Sequence, residues 1–142
     1  MKRLTLILLV ALVQVVGYSS AQQPVERKGV AATVKLEGEG FGYLSELNGK
    51  YKLRVTEATF EPGGYVGEHN HAGPGIRFVA SGEIAVLEQG KTRIYKTGDY
   101  YYETGSITNS ASNKTSSPTV VITFEILLVD LKGGSLVPAK SQ

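Results

Sequence analysis

The sequence predicts an all-β protein: a single antiparallel β-barrel behind an N-terminal signal peptide. Three observations predict it. Short runs rich in Val, Ile, Thr, Tyr and Phe alternate with glycine-containing breaks, the pattern of sandwiches and barrels. After residue 22 no segment repeats its apolar residues at helical spacing. Without the leader, roughly 120 residues remain, enough for one barrel core and too few for two domains.

The leader occupies residues 1–21. Lys2 and Arg3 open it, and Leu4 to Val16 is apolar except for Thr5 and Gln14. Ser19 and Ala21 supply small residues, so cleavage is expected after Ala21. The apolar run is too short to span a bilayer. The expected product is secreted or periplasmic, with no membrane attachment after cleavage. Residues 22–45 form an N-terminal segment, 46–131 the barrel and 132–142 a C-terminal tail. Residues 22–30 and 132–142 read as loose ends, the latter carrying Gly133-Gly134 and Pro138.

Within the barrel, "YKLRVTEATF" (51–60) alternates and stops at Pro62-Gly63-Gly64. "GIRFVAS" (75–81) stops at Gly82, "EIAVLEQ" (83–89) turns at Gly90, and "KTRIYK" (91–96) turns at Gly98-Asp99. "DYYYE" (99–103) ends near Gly105. "TVVITFEILLVD" (119–130) is the longest apolar strand. On it Val120, Ile122, Phe124, Ile126 and Leu128 share one face and read as core, with Glu125 on the other side.

Composition excludes several functions. Without Lys2 and Arg3 the 15 basic residues fall to 13, equal to the 13 acidic ones. No basic cluster with interleaved aromatics is present, so nucleic acid is not an expected partner. The chain has no cysteine, which removes disulfides, zinc–thiolate sites and thiol nucleophiles together. Asn113-Lys-Thr115 would accept a glycan only in a eukaryotic secretory pathway.

The only two histidines are His69 and His71. Along a strand residues i and i+2 share a face, so both imidazoles point together while Glu68 and Asn70 point away. The pair is either half of a metal site or two polar residues at a barrel mouth. Two ligands rarely hold a metal alone.

At this point the chain resembles the cupin superfamily. The first cupin motif runs Gly, five residues, His-x-His, three or four residues, Glu, six residues, Gly. Gly63, His69, His71 and Gly82 fall at those spacings, with Gly75 where the motif has Glu. In the second motif Gly98 and Asn113 match. Thr104, Ser106 and Asn109 stand where the motif has Pro, Gly and His, and the turn glycine sits one place early, at Gly105. The resemblance covers roughly residues 50–130 and implies a jelly-roll barrel.

It also implies a metal site at His69, His71, Gly75 and Asn109. Gly75 has no donor atom, and Asn109 offers only an amide oxygen, a harder donor than imidazole. A divalent Mn, Fe, Ni or Zn ion would then be weakly held. Glu103, just before the second turn, is the candidate to compensate; Glu68 would do so only in an irregular strand.

Alternation puts Arg77 on the inward face, beside the room left by the missing carboxylate at 75. It then pairs with Glu103 or takes an anionic ligand bidentately. Tyr100, Tyr101 and Tyr102 straddle both faces, and Tyr102 is the candidate to line the pocket. The expected ligand-binding set is Arg77, Tyr102, Glu103 and Asn109. The function this supports is an exported cupin-domain protein that binds a small, anionic molecule in the barrel mouth. The alternative is a metal-dependent oxygenase or isomerase using His69 and His71. Pairing into a homodimer is expected from the family's habits.

Overall fold

The computed structural model describes residues 24–139, so the signal peptide expected over 1–21 lies outside the described residues. The strands are β1 (Arg27–Gly38), β2 (Tyr51–His71), β3 (Gly75–Ser81), β4 (Glu83–Glu88), β5 (Lys91–Lys96), β6 (Tyr100–Glu103), β7 (Asn109–Ser112), β8 (Thr119–Leu128) and β9 (Leu136–Pro138). A single 3₁₀ turn, Ser45–Leu47, is the one helical element among the described residues. The sheet order is β5-β4-β7-β2-β8-β3-β6, with β1 and β9 also bonded to β2. Folded on itself, this sheet makes the nearly closed antiparallel barrel that the sequence predicts.

β2 organises the barrel because it bends. Its first half pairs with β8 and β1, and its second half with β7 and then β9. The bend sits at Pro62-Gly63-Gly64. Gly63 has φ +74°, and a Cβ on Gly64 would stand 2.5 Å from the Gly29 carbonyl oxygen. Only glycine lets β1 cross so closely. Asn113 fastens the bend from the other side. Its side-chain amide donates to the carbonyls of Phe60 (3.0 Å) and Ser117 (2.7 Å), and its backbone carbonyl accepts from Gly63 N–H (3.0 Å). The amide of the glycan triplet is therefore buried and engaged.

Phe60, Val66, Val79, Ile84, Val86 and Val121 form the core. Tyr95 and Tyr101 stack beside it with ring centroids 4.2 Å apart.

Three expectations need correction. First, residues 22–30 and 132–142 are not simply loose ends. β1 begins at Arg27 and runs alongside β2 to Gly38, and Leu136–Pro138 pairs with His69–His71. Lys52 Nζ donates to the Leu131 carbonyl (3.1 Å) and Arg54 Nη1 to the Gly133 carbonyl (2.7 Å), holding the C-terminal segment down. Small inward residues such as Ala32 gave β1 a weak signature. Second, Val120, Ile122, Phe124, Ile126 and Leu128 do share a face, but it is the outer one. Phe124 is 43% exposed and Leu128 54%, whereas Val121, Glu125 and Leu127 point inward, Glu125 with only 1% exposed. Third, Gly75 leaves no empty room, as its surroundings show.

Candidate functional site

The inner faces of β2, β3, β6, β7 and β8 converge on one end of a cavity of about 800 Å³. Register sets the arrangement. His69 lies opposite Asn109 across β2 and β7. Gly75 lies opposite Glu103 on one side and Glu125 on the other. The motif's carboxylate position is thus flanked by a carboxylate from each neighbouring strand. Arg77, two residues on, reaches back over Gly75, and its Nη1 fills the space that a Cβ there would claim.

Arg77 is 2% exposed. Its Nη2 lies 2.8 Å from Glu103 Oε2 and 3.3 Å from Glu125 Oε1. The Glu125 contact has hydrogen-bond geometry; the shorter Glu103 contact is an ion pair without it. Ser135, on the C-terminal segment, donates its hydroxyl within 2.9 Å of Oε1 and 2.7 Å of Oε2 of Glu125. His71 stands between the two carboxylates, Nδ1 2.9 Å from Glu125 Oε1 and Nε2 3.2 Å from Glu103 Oε2. Buried charges in such a network tolerate one another only because each has a partner.

His69 completes the cluster. Its Nδ1 donates to the Gly67 carbonyl at 2.7 Å, which leaves Nε2 as a bare acceptor in the neutral ring. That nitrogen faces His71 Nε2 at 3.2 Å. Burial lowers the His69 pKa to about 4; the charges of His71 and Arg77 add to this, and the Gly67 bond opposes it. His69 is therefore neutral at ordinary pH. Burial raises the Glu125 carboxyl, but the His71 hydrogen bond, the Arg77 charge and the Ser135 hydroxyl together outweigh it and hold the carboxyl below its usual range. An ionised Glu125 can only accept, so His71 donates its Nδ1–H to Glu125 Oε1.

Of the expected ligand-binding residues, Arg77, Glu103 and Asn109 come together at the cavity. Tyr102 does not. It is 62% exposed on the outer face, and its neighbour Tyr101 lines the cavity instead. Burial raises the Tyr101 phenol pKa well above its usual value. The tyrosine triplet alternates, so one step of register decides which hydroxyl enters. Glu68 is exposed and takes no part. Sequence reasoning missed Glu125 and Ser135. A signal for Glu125 was present: it is the one charge within β8, as Arg77 is within β3, and two lone opposite charges in apolar strands belong together.

A cupin domain model matches residues 56–125. The chain belongs to the cupin superfamily. Among solved structures, this cupin is similar to a cupin-like protein from Thermotoga maritima, with 22% identity, 82% of each chain covered and a TM-score of 0.57. A cupin domain from Bordetella pertussis shares 22% identity over 71% of this chain and 96% of its own, with a TM-score of 0.54. KdgF from Halomonas sp. shares 16% over 70% of this chain and 84% of its own, with a TM-score of 0.53. At these identities the likeness concerns the fold alone. No curated protein matches the chain.

The family likeness implies a metal ion, and the donor set of this cupin does not fit one. Among the described residues no group of three or more His, Cys, Asp or Glu side chains is disposed to hold a metal. The guanidinium of Arg77 already supplies the positive charge between Glu103 and Glu125. Gly75 cannot contribute a ligand, and Asn109 offers an amide.

Proposed function

We propose that this cupin binds a small organic molecule with a polar head and an apolar body inside the barrel, without a metal ion as the anchor. One observation carries the reading. Arg77 Nη1 and Asn109 Oδ1 are both buried, both belong to cavity-lining residues, and neither has a hydrogen-bond partner. Buried polar groups are satisfied in all but a few cases, so a donor and an acceptor left open in one cavity favour a ligand that supplies the complements. Phe60, Val66, Ala111 and Val121 line the same cavity and suit an apolar body. The volume of about 800 Å³ lies within the range of small-molecule sites, roughly 300–1,000 Å³.

The charge balance favours a neutral head over the anionic one expected from Arg77 alone. Two carboxylates already face the guanidinium, and a third anion would meet their repulsion. A head that accepts from Arg77 and donates to Asn109, such as a hydroxyl beside a carbonyl or amide, matches both open atoms. The leader expected at residues 1–21 supports binding outside the cytoplasm.

Calorimetric titration with 2-hydroxyhexanamide and with 2-hydroxyhexanoate tests this. The amide is expected to bind the tighter of the two, and Asn109→Leu is expected to remove binding without lowering the melting temperature. Tighter binding of the acid would overturn the neutral head. Binding of neither, or amide binding unaltered by Asn109→Leu, would overturn the site.

A further inference from the structure

Two hydroxyls on the cavity wall have no task in the fold. Thr56 of β2 and Thr123 of β8 lie directly opposite each other, and Arg77 of β3 lies opposite Thr123 on its other side. All three line the cavity. The other inward polar groups along these stretches of β2 and β8 are engaged. Lys52 and Arg54 donate to the carbonyls of Leu131 and Gly133. Thr119 donates to the Glu83 carbonyl at 2.8 Å and accepts from the Glu83 N–H at 3.1 Å. Glu125 accepts from His71, Arg77 and Ser135. Threonines paired across strands commonly bond one another. Thr56 and Thr123 do not, nor does either hydroxyl bond to another described residue. Each keeps a donor and two acceptor sites free.

We infer that Thr56 and Thr123 form a second subsite, which takes a hydroxyl carried on the ligand's carbon chain beyond its head. The inference rests on the head binding at Arg77 and Asn109 and adds the chemistry of the body. The rows on either side fix where the subsite lies. On one side Arg54 faces Glu125, and on the other Ala58 faces Val121. The wall thus passes from charge through hydroxyl to hydrocarbon. Neighbouring strands lie about 4.8 Å apart, so a group bridging the two threonines stands roughly 7 Å along the row from the Arg77 backbone. A short carbon chain covers that separation. Valine fills a strand position as readily as threonine, so packing alone does not ask for a hydroxyl at both places. A plain hydrocarbon tail would bury both hydroxyls without a partner; a distal hydroxyl both donates and accepts, and so matches the pair. The ligand class this defines is a neutral chain with a hydroxyl beside a carbonyl or amide at one end and a second hydroxyl toward the other.

Calorimetric titration with 2,6-dihydroxyhexanamide and with 2-hydroxyhexanamide tests it. Wild type is expected to bind the diol about 5-fold tighter or more, as one or two further hydrogen bonds provide. In a chain carrying both Thr56→Val and Thr123→Val the ratio of the two affinities is expected to fall to about 1. Valine keeps the branched shape and suits a strand; should the double variant fail to fold, each single variant is expected to lower the ratio. If wild type binds 2-hydroxyhexanamide but holds the diol no tighter, the second subsite is overturned and the head site stands. A gain that persists in the valine variants overturns it too. If neither compound binds wild type, the head site fails and the subsite with it.

Discussion

Replacing Gly75 by alanine is expected to destabilise the barrel by about 2–3 kcal/mol. Gly75 does not adopt a left-handed backbone, so the effect comes from space alone. The new Cβ would stand 2.5 Å from the Phe124 carbonyl oxygen and 2.9 Å from Glu125 Cγ, and would collide with Arg77 Nη1. Real Cβ contacts essentially never fall below 3.0 Å. The guanidinium ends a flexible side chain and can swing aside, though it then leaves two carboxylates. The Phe124 oxygen cannot swing, because it belongs to the sheet; relieving the clash means parting β3 from β8. Overpacking of this kind costs about 1–3 kcal/mol, and a backbone collision puts it toward the upper end. For a domain of this size that lowers the melting temperature by roughly 6–15 °C. Urea unfolding followed by circular dichroism reads the difference. An alanine variant within about 0.5 kcal/mol of wild type, the usual scatter of surface substitutions, would refute the packing argument. The same geometry bears on the motif's carboxylate position: Gly75→Glu is expected to destabilise further and to gain no divalent-metal affinity in calorimetry.

Other outcomes follow from the cluster. His69 has a folded pKa of about 4 against an ordinary 6.5, so between those values the unfolded chain binds the extra proton. Stability should fall by about 3 kcal/mol as pH drops from 6.5 to 4. Glu125, held below 4.5, adds to the loss as pH falls below that value, and His69→Gln should flatten the upper part of the slope in urea titrations at several pH values. Arg77→Met should cost about 3–5 kcal/mol by stranding two buried carboxylates, and Glu103→Gln with Glu125→Gln in the same chain should restore much of it. Mass spectrometry of secreted or periplasmic protein should find the N-terminus near Gln22; an intact, cytosolic chain would refute the leader.

The strands were legible wherever glycine or proline ended an alternating run, which is why β3 to β5 fall where the sequence puts them. His69, His71, Arg77 and Glu103 were legible as inward residues because the spacing from Gly63 and Gly98 fixes which way they face. Three features were hidden for physical reasons. On β8 the outer parity is wholly apolar and the inner one mixes Thr119, Thr123 and Glu125 with Val121 and Leu127, so hydrophobicity alone points to the wrong face; the partners of Glu125 decide it. The tyrosine triplet offers a hydroxyl on either face, so Tyr101 and Tyr102 are interchangeable until β6 is set against β3. β9 is only three residues long and the middle of β1 is small, with Ala31 and Ala32, so both are held largely by what β2 offers them, which no local window reveals.

The many pairings of β2 bear on how the chain comes to be folded at all. Tyr51 waits for Leu128 and Phe60 for Thr119, contacts separated by most of the barrel's length. Closing such loops must precede any reward from the contacts, so folding dominated by them is slow. A chain still emerging from the ribosome, with β8 not yet made, lacks the pairing partner of β2's first half, the core residue Val121 and Glu125, one of the two carboxylates that face Arg77. It therefore stays open until nearly its last residues are available. If residues 1–21 act as the expected leader, that delay would leave a thread that can still be pulled through a narrow channel.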